Sequence, residues 1–234
     1  MGRAKEIIIK VIPSKIANEF VKKHHYSGKI VPNSQLHFGA FLDGKLHGVL
    51  SYGCSMDKRK TLNLVKDTGW NDFLELNRMA FDDYLPRNSE SYCISKTIKM
   101  IQKNAPNIKW IISFADGTQC GDGTIYRASN FVLTGIKKNK QIIEFPNGER
   151  VARKTLDNKN NMVGSKYGSS LVKERGGVYL DGYQLRYVYF IDKSCKDKLT
   201  VPIIPFSKID ELGAGMYKGE KVTQAERHNK KQPE

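Results

Sequence analysis

The chain has few cysteines, a shortage of acidic residues and no long apolar segment. Its four cysteines are widely spaced and include no C-x-x-C pair, which excludes a zinc ribbon and makes a disulfide framework a poor expectation. No apolar run approaches the roughly 20 residues that a membrane-spanning helix requires. The opening MGRAKE also lacks the apolar stretch of a secretory signal. We therefore expect a cytoplasmic protein with no membrane partner.

The shortage of acidic residues leaves a strong positive charge. The 234 residues include 39 Lys and Arg against 24 Asp and Glu, a formal net charge of +15. Such an excess favours polyanionic partners. It is concentrated between Lys137 and Arg175, where ten basic residues stand against four acidic ones. We expect this block to bind phosphates, with Arg150, Arg153 and Lys154 as the main contacts, although basic loops can also be merely solvated.

The pattern of apolar residues predicts alternating strands and helices around a self-supporting core. The fold class is predicted to be α/β, with a mixed central sheet flanked by helices and a basic hairpin and loop elaboration. We expect one catalytic domain over residues 1–206, the elaboration over 137–182, and a flexible polar tail over 207–234. The predicted elements are strand 6–12, helix 14–24, a hairpin at Asp43-Gly44, insertion 54–71, strand 73–81, helix 89–102, strand 108–114, a short helix and strand up to 135, a hairpin at 146–148, loop 158–170 and strand 183–192.

The segment Ser113–Gly135, SFADGTQCGDGTIYRASNFVLTG, carries the strongest functional signal. A buried strand runs into Asp116, a glycine-rich loop, and a short helix that contains Tyr126. Ligands of α/β folds sit in crevices at the carboxyl ends of strands, so Asp116 is a candidate reacting group. A loop cap is the alternative role for Asp116. Cys120 lies in the same loop.

A second candidate site is the segment Leu85–Lys96, which leads into a predicted helix. Helix N-termini bind anions through their free N–H groups and the helix dipole. This segment contains no glycine, so its backbone cannot approach a pyrophosphate closely. Four polar side chains could bind an anionic cofactor instead, while a plain capped helix start is the alternative; they are Arg87, Ser89, Ser91 and Lys96.

Several strings in the chain resemble the Mom DNA-modification proteins of bacteriophages, an unusual branch of the GNAT acyltransferases. The strings are H-H-Y-S-G from His24, E-L-N-R from Glu75, L-P-R-N-S-E-S from Leu85, F-A-D from Phe114 and G-T-I-Y-R-A-S-N from Gly123. The resemblance covers residues 5–136 and 183–192 and implies a GNAT-like fold. It also implies conversion of adenine N6 in phage DNA to a carbamoylmethyl derivative, which protects the DNA from host restriction.

The same resemblance implies the site residues and partners. The catalytic residues would be His25, Tyr26, Arg78, Asp116 and Tyr126. His25, Asp116 and Tyr126 would bind iron, and their nitrogen and oxygen donors suit that metal. Double-stranded DNA would be the substrate, in the cytoplasm of the phage host. The donor of the added group stays open between acetyl-CoA and another small molecule.

Two other functions remain in competition with this interpretation. An acyl-CoA-dependent N-acetyltransferase could act on an amine such as a hypermodified DNA base, with Asp116 or His25 as base and Tyr126 as acid. A non-catalytic DNA-binding module is the other possibility. Arg78 could hold an anionic group or pair with Glu75. Adenine N6 is involved in base pairing, so an enzyme acting there is expected to flip the base. The aromatic candidates for stacking a flipped base are Tyr84, Tyr92 and Trp70.

Overall fold

The computed structural model of the chain describes residues 3–153, 155, 156 and 168–229. The helices are α1 (Ser14–His24), α2 (Lys58–Leu62), α3 (Ser89–Asn104), α4 (Thr124–Ala128), α5 (Gly168–Glu174), α6 (Ser207–Glu211) and α7 (Gln224–Asn229). The strands are β1 (Ile8–Val11), β2 (Ser34–Leu42), β3 (Lys45–Gly53), β4 (Phe73–Phe81), β5 (Trp110–Asp116), β6 (Val132–Asn139), β7 (Ile142–Glu144), β8 (Arg150–Ala152), β9 (Val178–Tyr179) and β10 (Gly182–Phe190).

The main sheet has seven strands in the order β1-β2-β3-β4-β5-β10-β6. Strands β1 to β4 pair in sequence as antiparallel neighbours, and β4 pairs with β5 in parallel. A smaller antiparallel sheet has the order β8-β7-β9. The mixed sheet with intervening helices confirms the predicted α/β class. The order of elements is the one that the GNAT resemblance implies.

The chain divides into two compact units, each built from three stretches of sequence. The first unit comprises Met1–Phe114, Gly123–Thr134 and Arg186–Pro205. The second comprises Ala115–Asp122, Gly135–Leu185 and Phe206–Glu234. The predicted basic elaboration over 137–182 and the C-terminal segment belong to the second unit. The single domain predicted over residues 1–206 stays a prediction.

The core of the first unit explains why its helices form. Helix α1 buries Ala17 and Val21 against Val49 of β3 and Ala80 of β4. These two side chains lie four residues apart and therefore share one face of the helix. Because this face is fixed to the sheet, the C-terminal end of α1 is held in place beside β3 and β4. That end carries His24 and leads directly into His25.

The second unit has its own apolar core and a packed C-terminal segment. Its core is formed by Ile143, Phe145, Val151, Leu156 and Val172. The flexible polar tail predicted over residues 207–234 stays a prediction. Three side chains of the C-terminal segment are buried; they are Ile209, Ala214 and Met216. The sequence pattern missed this packing because apolar residues there are few and irregularly spaced.

Two further features of the structure are the state of the cysteines and the length and polarity of the helices. All four cysteines are free thiols, with Cys93 and Cys195 buried and Cys120 exposed. In the described part of the chain, no helix combines the length and apolar character needed to cross a bilayer.

Candidate active site

Arg78 lies at an irregularity in β4, in the middle of the main sheet. Ser51 pairs with Arg78, whereas the next residue of β3 pairs with Leu76, so Asn77 is an extra residue in β4. Such a bulge re-aims the neighbouring side chain. The guanidinium of Arg78 donates from Nε to the carbonyl of Lys29 at 2.9 Å and from Nη1 to the carbonyl of Asn77 at 3.2 Å. These two bonds fix the plane of the cation.

The groups around Arg78 include most of the predicted catalytic residues. Burial lowers the pKa of Arg78, while the phenol of Tyr26, the carboxyl of Glu75 and the phenol of Tyr126 act to raise it. Arg78 in turn acts on the imidazole of His25. We call Arg78, His25, Tyr26, Glu75 and Tyr126 the Arg78 cluster; all five belong to the first unit. The structure therefore brings together four of the five predicted catalytic residues and adds Glu75, whose carboxyl was predicted only as a possible partner of Arg78.

His25 sits where α1 ends and is held in one orientation. Its backbone is extended and its N–H donates to the carbonyl of Val21, which closes the helix. The main-chain N–H of Ser27 donates to Nδ1 of the ring at 3.1 Å, and the Ser27 hydroxyl lies 2.8 Å from the same nitrogen. Burial first, and then the charge of Arg78, lower the pKa of His25 to about 4. The ring is therefore neutral near pH 7, and its hydrogen is on Nε2 because Nδ1 is an acceptor.

Tyr126 is positioned by a glycine whose replacement would strain the backbone and displace the Tyr187 ring. Gly123 precedes α4 with a φ of +86°, and a Cβ there would lie 2.4 Å from the ring of Tyr187. Its carbonyl accepts the N–H of Tyr126 at 2.9 Å, which starts the helix. The ring of Tyr126 then packs between Phe131 and Tyr187, at centroid distances of 5.4 and 5.3 Å. The Tyr126 side chain is consequently rigid.

Asp116 belongs to the second unit, where it organises its own loop. Its Oδ1 accepts the N–H of Thr118 at 2.9 Å and its Oδ2 accepts from Nε2 of Gln119 at 3.2 Å. Its carbonyl accepts the N–H groups of Cys120 and Gly121, both at 3.1 Å. These are the contacts of a loop cap, which is one of the two roles predicted for Asp116. Its catalytic role stays a prediction.

A cavity of about 640 Å³ lies at the N-terminus of α3, entirely within the first unit. We call it the α3 cavity. It is lined by Ala4, Lys5, Pro86, Arg87, Asn88, Ser91, Tyr92, Ser95, Ile98, Ala128, Ser129, Asn130 and Tyr189. Of the predicted cofactor ligands, Arg87 and Ser91 line this cavity.

The other two predicted cofactor ligands have different surroundings. The Ser89 side chain is buried and its hydroxyl donates to the carbonyl of Pro86 at 2.5 Å. Lys96 is not among the lining residues, and its ammonium lies 5.3 Å from the ring centroid of Tyr92. The sequence prediction missed Asn130, which lines the cavity with a φ of +63°. An Asn two residues after the end of a short helix is a usable signal, because Asn tolerates positive φ better than most residues.

The chain is similar to a known protein family over most of its length. The family model described as the Mom protein family matches residues 6–208. The chain belongs to the Mom protein family. It is 34% identical over 203 residues to a protein of Escherichia phage Mu named Methylcarbamoylase mom, which covers 86% of this chain and 82% of that protein.

Two solved structures to which this chain is similar illustrate the fold. Arabidopsis thaliana NAA60 in complex with a bisubstrate analogue has a TM-score of 0.49 and 11% identity, covering 79% of this chain and 97% of that one. A GNAT family acetyltransferase from Elizabethkingia anophelis with acetyl-CoA bound has a TM-score of 0.46 and 11% identity, covering 79% and 98%.

The Mom resemblance implies iron, and the hydrogen bonding of His25 does not favour a metal ligand at that ring. Among them, no group of three or more His, Cys, Asp or Glu side chains is placed to hold a metal ion. The Nδ1 lone pair of His25 already accepts the Ser27 N–H. A metal on Nε2 would move the hydrogen to Nδ1, where it would face that N–H. The iron ligands His25, Asp116 and Tyr126 therefore stay a prediction, and no reaction step below depends on them.

The aromatic candidates for base stacking in this Mom protein lie in different settings. Tyr92 lines the α3 cavity, and its hydroxyl donates to the carbonyl of Lys5 at 3.2 Å. Tyr84 is exposed, but a histidine ring and a carboxylate already engage it. Trp70 is 48% exposed, with the ammonium of Lys58 4.6 Å from its ring centroid. Trp70 therefore offers an exposed ring with a cation over its face.

The predicted DNA contacts lie in or beside β8 of the second unit. Nε of Arg150 donates to Glu144 at 2.5 Å, so part of its charge is neutralised within the small sheet. Arg153 is exposed. Lys154 lies outside the described residues. Their contact with DNA stays a prediction.

Proposed function

We propose that this Mom-family chain is a transferase that adds a carbamoylmethyl group to adenine N6 in DNA and thereby protects the DNA from restriction. The observation that carries the proposal is the gathering of His25, Tyr26 and Tyr126 around Arg78. The identity of 34% with the Methylcarbamoylase mom of phage Mu supports the reaction class. The net charge of +15 supports a nucleic acid substrate.

The orientation of His25 indicates what its ring does in the reaction. With Nδ1 accepting the Ser27 N–H, the neutral ring offers Nε2–H to a reacting group. His25 is therefore a hydrogen-bond donor in this geometry rather than the base considered in the acetyltransferase alternative. N6 of adenine attacks the methylene carbon of the donor while the bond to the leaving group breaks, and N6 then loses a proton to water. The Nε2–H of His25 stabilises the negative charge that develops on the leaving group.

Arg78 and the two phenols complete this arrangement. The two main-chain carbonyls that hold the Arg78 guanidinium leave a fixed cation beside the His25 ring. A fixed cation needs no reorganisation as charge develops, which is the source of its catalytic value. In this proposal the Tyr126 phenol, held by its packed ring, is the proton donor to the leaving group.

The donor of the added group is a small molecule that occupies the α3 cavity in this proposal. Arg87 and Ser91 line it with polar groups beside the N-terminus of α3. These features suit an anionic group. Acetyl-CoA can probe such a site, but it would transfer only an acetyl group; the carbamoylmethyl group has to come from a donor that already carries CH2–C(O)NH2. Iron, implied by the Mom resemblance, has no assigned step.

Nucleoside analysis of DNA from cells that express the protein tests this function. We expect an adenosine whose mass is increased by a carbamoylmethyl group, absent in the Arg78→Ala variant and present in a matched Lys99→Ala variant on the exposed face of α3. An acetyl shift would instead support the acetyltransferase alternative. Unmodified nucleosides in the presence of soluble, folded protein would contradict the proposal.

A further inference from the structure

The insertion between β3 and β4 is fixed to the sheet at its base. The side-chain amide of Asn33 donates to the carbonyl of Cys54. Ser55 is buried, and its hydroxyl lies 2.9 Å from that of Thr61 in α2. The side chain of Asp57 accepts the N–H of Lys60 at 3.3 Å and caps α2. The short segment before α2 is therefore held from both sides.

Met56 stands at the tip of this fixed segment with its side chain in water. It is 63% exposed, whereas its neighbour Ser55 is 6% exposed. Leaving an unbranched apolar side chain in solvent forgoes the free energy that its burial would provide. A single exposed apolar residue needs no explanation by itself. The position of Met56 relative to charge and to the Arg78 cluster is what distinguishes it.

Glu75 ties the tip to the Arg78 cluster. Burial raises the pKa of Glu75, while the Ser55 hydroxyl, the main-chain N–H of Met56 and the charge of Arg78 act to lower it. The buried carboxyl thus accepts the Met56 N–H and lies within the electrostatic influence of Arg78. Met56 is therefore bonded through its backbone to Glu75, a member of the Arg78 cluster.

Cations follow Met56 immediately in the sequence. Lys58, Arg59 and Lys60 lie in the first turn of α2, and Asp57 neutralises one of them through an ion pair with Lys60 at 2.9 Å. The remaining positive charge suits DNA phosphates. Trp70, half-exposed against Lys58, adds an aromatic face to the same surface.

We propose that Met56 is the wedge that enters the DNA duplex and fills the space of the flipped adenine, while the cations of α2 hold the flanking phosphates. Apolar side chains, including Met, serve as wedges between base steps in other DNA-bending proteins. The long flexible methionine side chain adapts to an irregular gap. This inference rests on the proposed function, because it requires an adenine in duplex DNA as the substrate.

The test uses the purified full chain and a duplex with 2-aminopurine in place of an adenine that the wild-type protein modifies in cells. Unstacking of this base raises its fluorescence. We expect the wild-type protein to raise it, and Met56→Ala to reduce the flipped-to-stacked ratio about tenfold, equivalent to about 1.4 kcal/mol. Met56→Leu should retain most of the rise. Arg59→Ala should weaken binding without changing the rise at saturation.

A second duplex separates the wedge role from damage to the fold. It places 2-aminopurine opposite an abasic site, where the base is already unpaired. Met56→Ala should raise fluorescence there as the wild type does. An equal rise for Met56→Ala and wild type on the paired duplex would overturn the proposal, as would failure of Met56→Ala on the unpaired one. If the wild-type protein modifies DNA in cells but does not raise the 2-aminopurine fluorescence, the wedge proposal alone is overturned. If the DNA in cells stays unmodified, the proposed function is overturned.

Discussion

The main-chain N–H of Ser27 donates a hydrogen bond to Nδ1 of His25 at 3.1 Å, and this bond decides which nitrogen of the imidazole can donate to a reacting group. An N–H group can only meet an acceptor nitrogen, so the ring hydrogen is on Nε2. The low pKa of His25, which results from burial and from the charge of Arg78, keeps the ring neutral. The pair thus makes His25 a donor beside a fixed cation.

The first prediction concerns stability as a function of pH. The pKa of His25 falls from its usual 6.5 to about 4 in the folded protein, so the unfolded chain binds more protons between these values. Stability should therefore rise with pH across this window and be lost as the pH falls towards 4. The full difference is about 3 kcal/mol, from 1.36 kcal/mol per pKa unit.

Urea unfolding at pH 4.5 and at pH 7 measures this contribution. The His25→Gln variant should show a smaller difference between the two pH values than the wild type. His24→Gln is the matched control, since it removes an imidazole but leaves His25 in place. Equal pH dependence of His25→Gln and wild type would show that the His25 ring is not the titrating group.

The second prediction concerns the geometry of Arg78. A lysine at this position keeps the charge but cannot donate to the carbonyls of Lys29 and Asn77 in one plane. Arg78→Lys should reduce the modified fraction of adenines in cellular DNA at least about tenfold, the effect of losing 1.4 kcal/mol of stabilisation. Arg175→Lys, at an exposed ion pair with Glu149, should leave modification unchanged. Wild-type levels in Arg78→Lys would mean that charge alone suffices.

Local signals in the sequence were sufficient to predict many secondary-structure elements of the first unit. Asp43 and Gly44 have φ values of +50° and +77°, as the predicted hairpin turn requires. The apolar face of α1 placed His25 at the helix end, and the string around Arg78 placed the arginine in a central strand. These features depend on neighbours within a few residues, which is why periodicity and turn chemistry found them.

Contacts between distant parts of the chain were not predictable in this way. The extra residue Asn77 in β4 appears only in the pairing of β4 with β3. The contact of Glu75 with the segment at Met56 joins residues that no periodicity relates. Arg227 donates a hydrogen bond to Asp122, which lies 105 residues earlier in the chain. A charged residue in a polar segment is typical of solvated surface, so the sequence pattern did not indicate this pair. Such positions are decided by tertiary structure.

The third prediction follows from that buried ion pair in the second unit. The side chains of Asp122 and Arg227 are 4% and 6% exposed, and Nη2 donates to Oδ2 at 2.5 Å. Removing one partner leaves a buried charge uncompensated, which costs about 3–5 kcal/mol. Asp122→Ala should therefore lower the free energy of unfolding by about that amount in a urea titration. Replacing both residues together, with Asp122→Leu and Arg227→Met, should cost much less.

An exposed ion pair provides the control for this measurement. Lys208 and Glu211 form a pair in α6 whose side chains are about half exposed. Lys208→Ala should change the free energy of unfolding by less than about 1 kcal/mol. If Asp122→Ala were as mild as Lys208→Ala, the C-terminal segment would not be anchored through Arg227.

The last prediction concerns ligand binding in the α3 cavity by two residues that were both expected to bind a cofactor. Arg87, which precedes α3, lines the cavity, whereas Lys96, within α3, does not. Both are exposed cations near the same helix N-terminus, so a general electrostatic attraction would weaken equally on removing either. A direct charged hydrogen bond to a ligand is worth about 1.5–3 kcal/mol and would be lost only with the residue that makes it.

Calorimetry with acetyl-CoA as the probe should therefore show an affinity at least about tenfold weaker in Arg87→Ala, and an affinity near that of the wild type in Lys96→Ala. Equal losses in the two variants would mean that acetyl-CoA responds only to the overall positive charge, and no binding by the wild type would direct the search to a different donor.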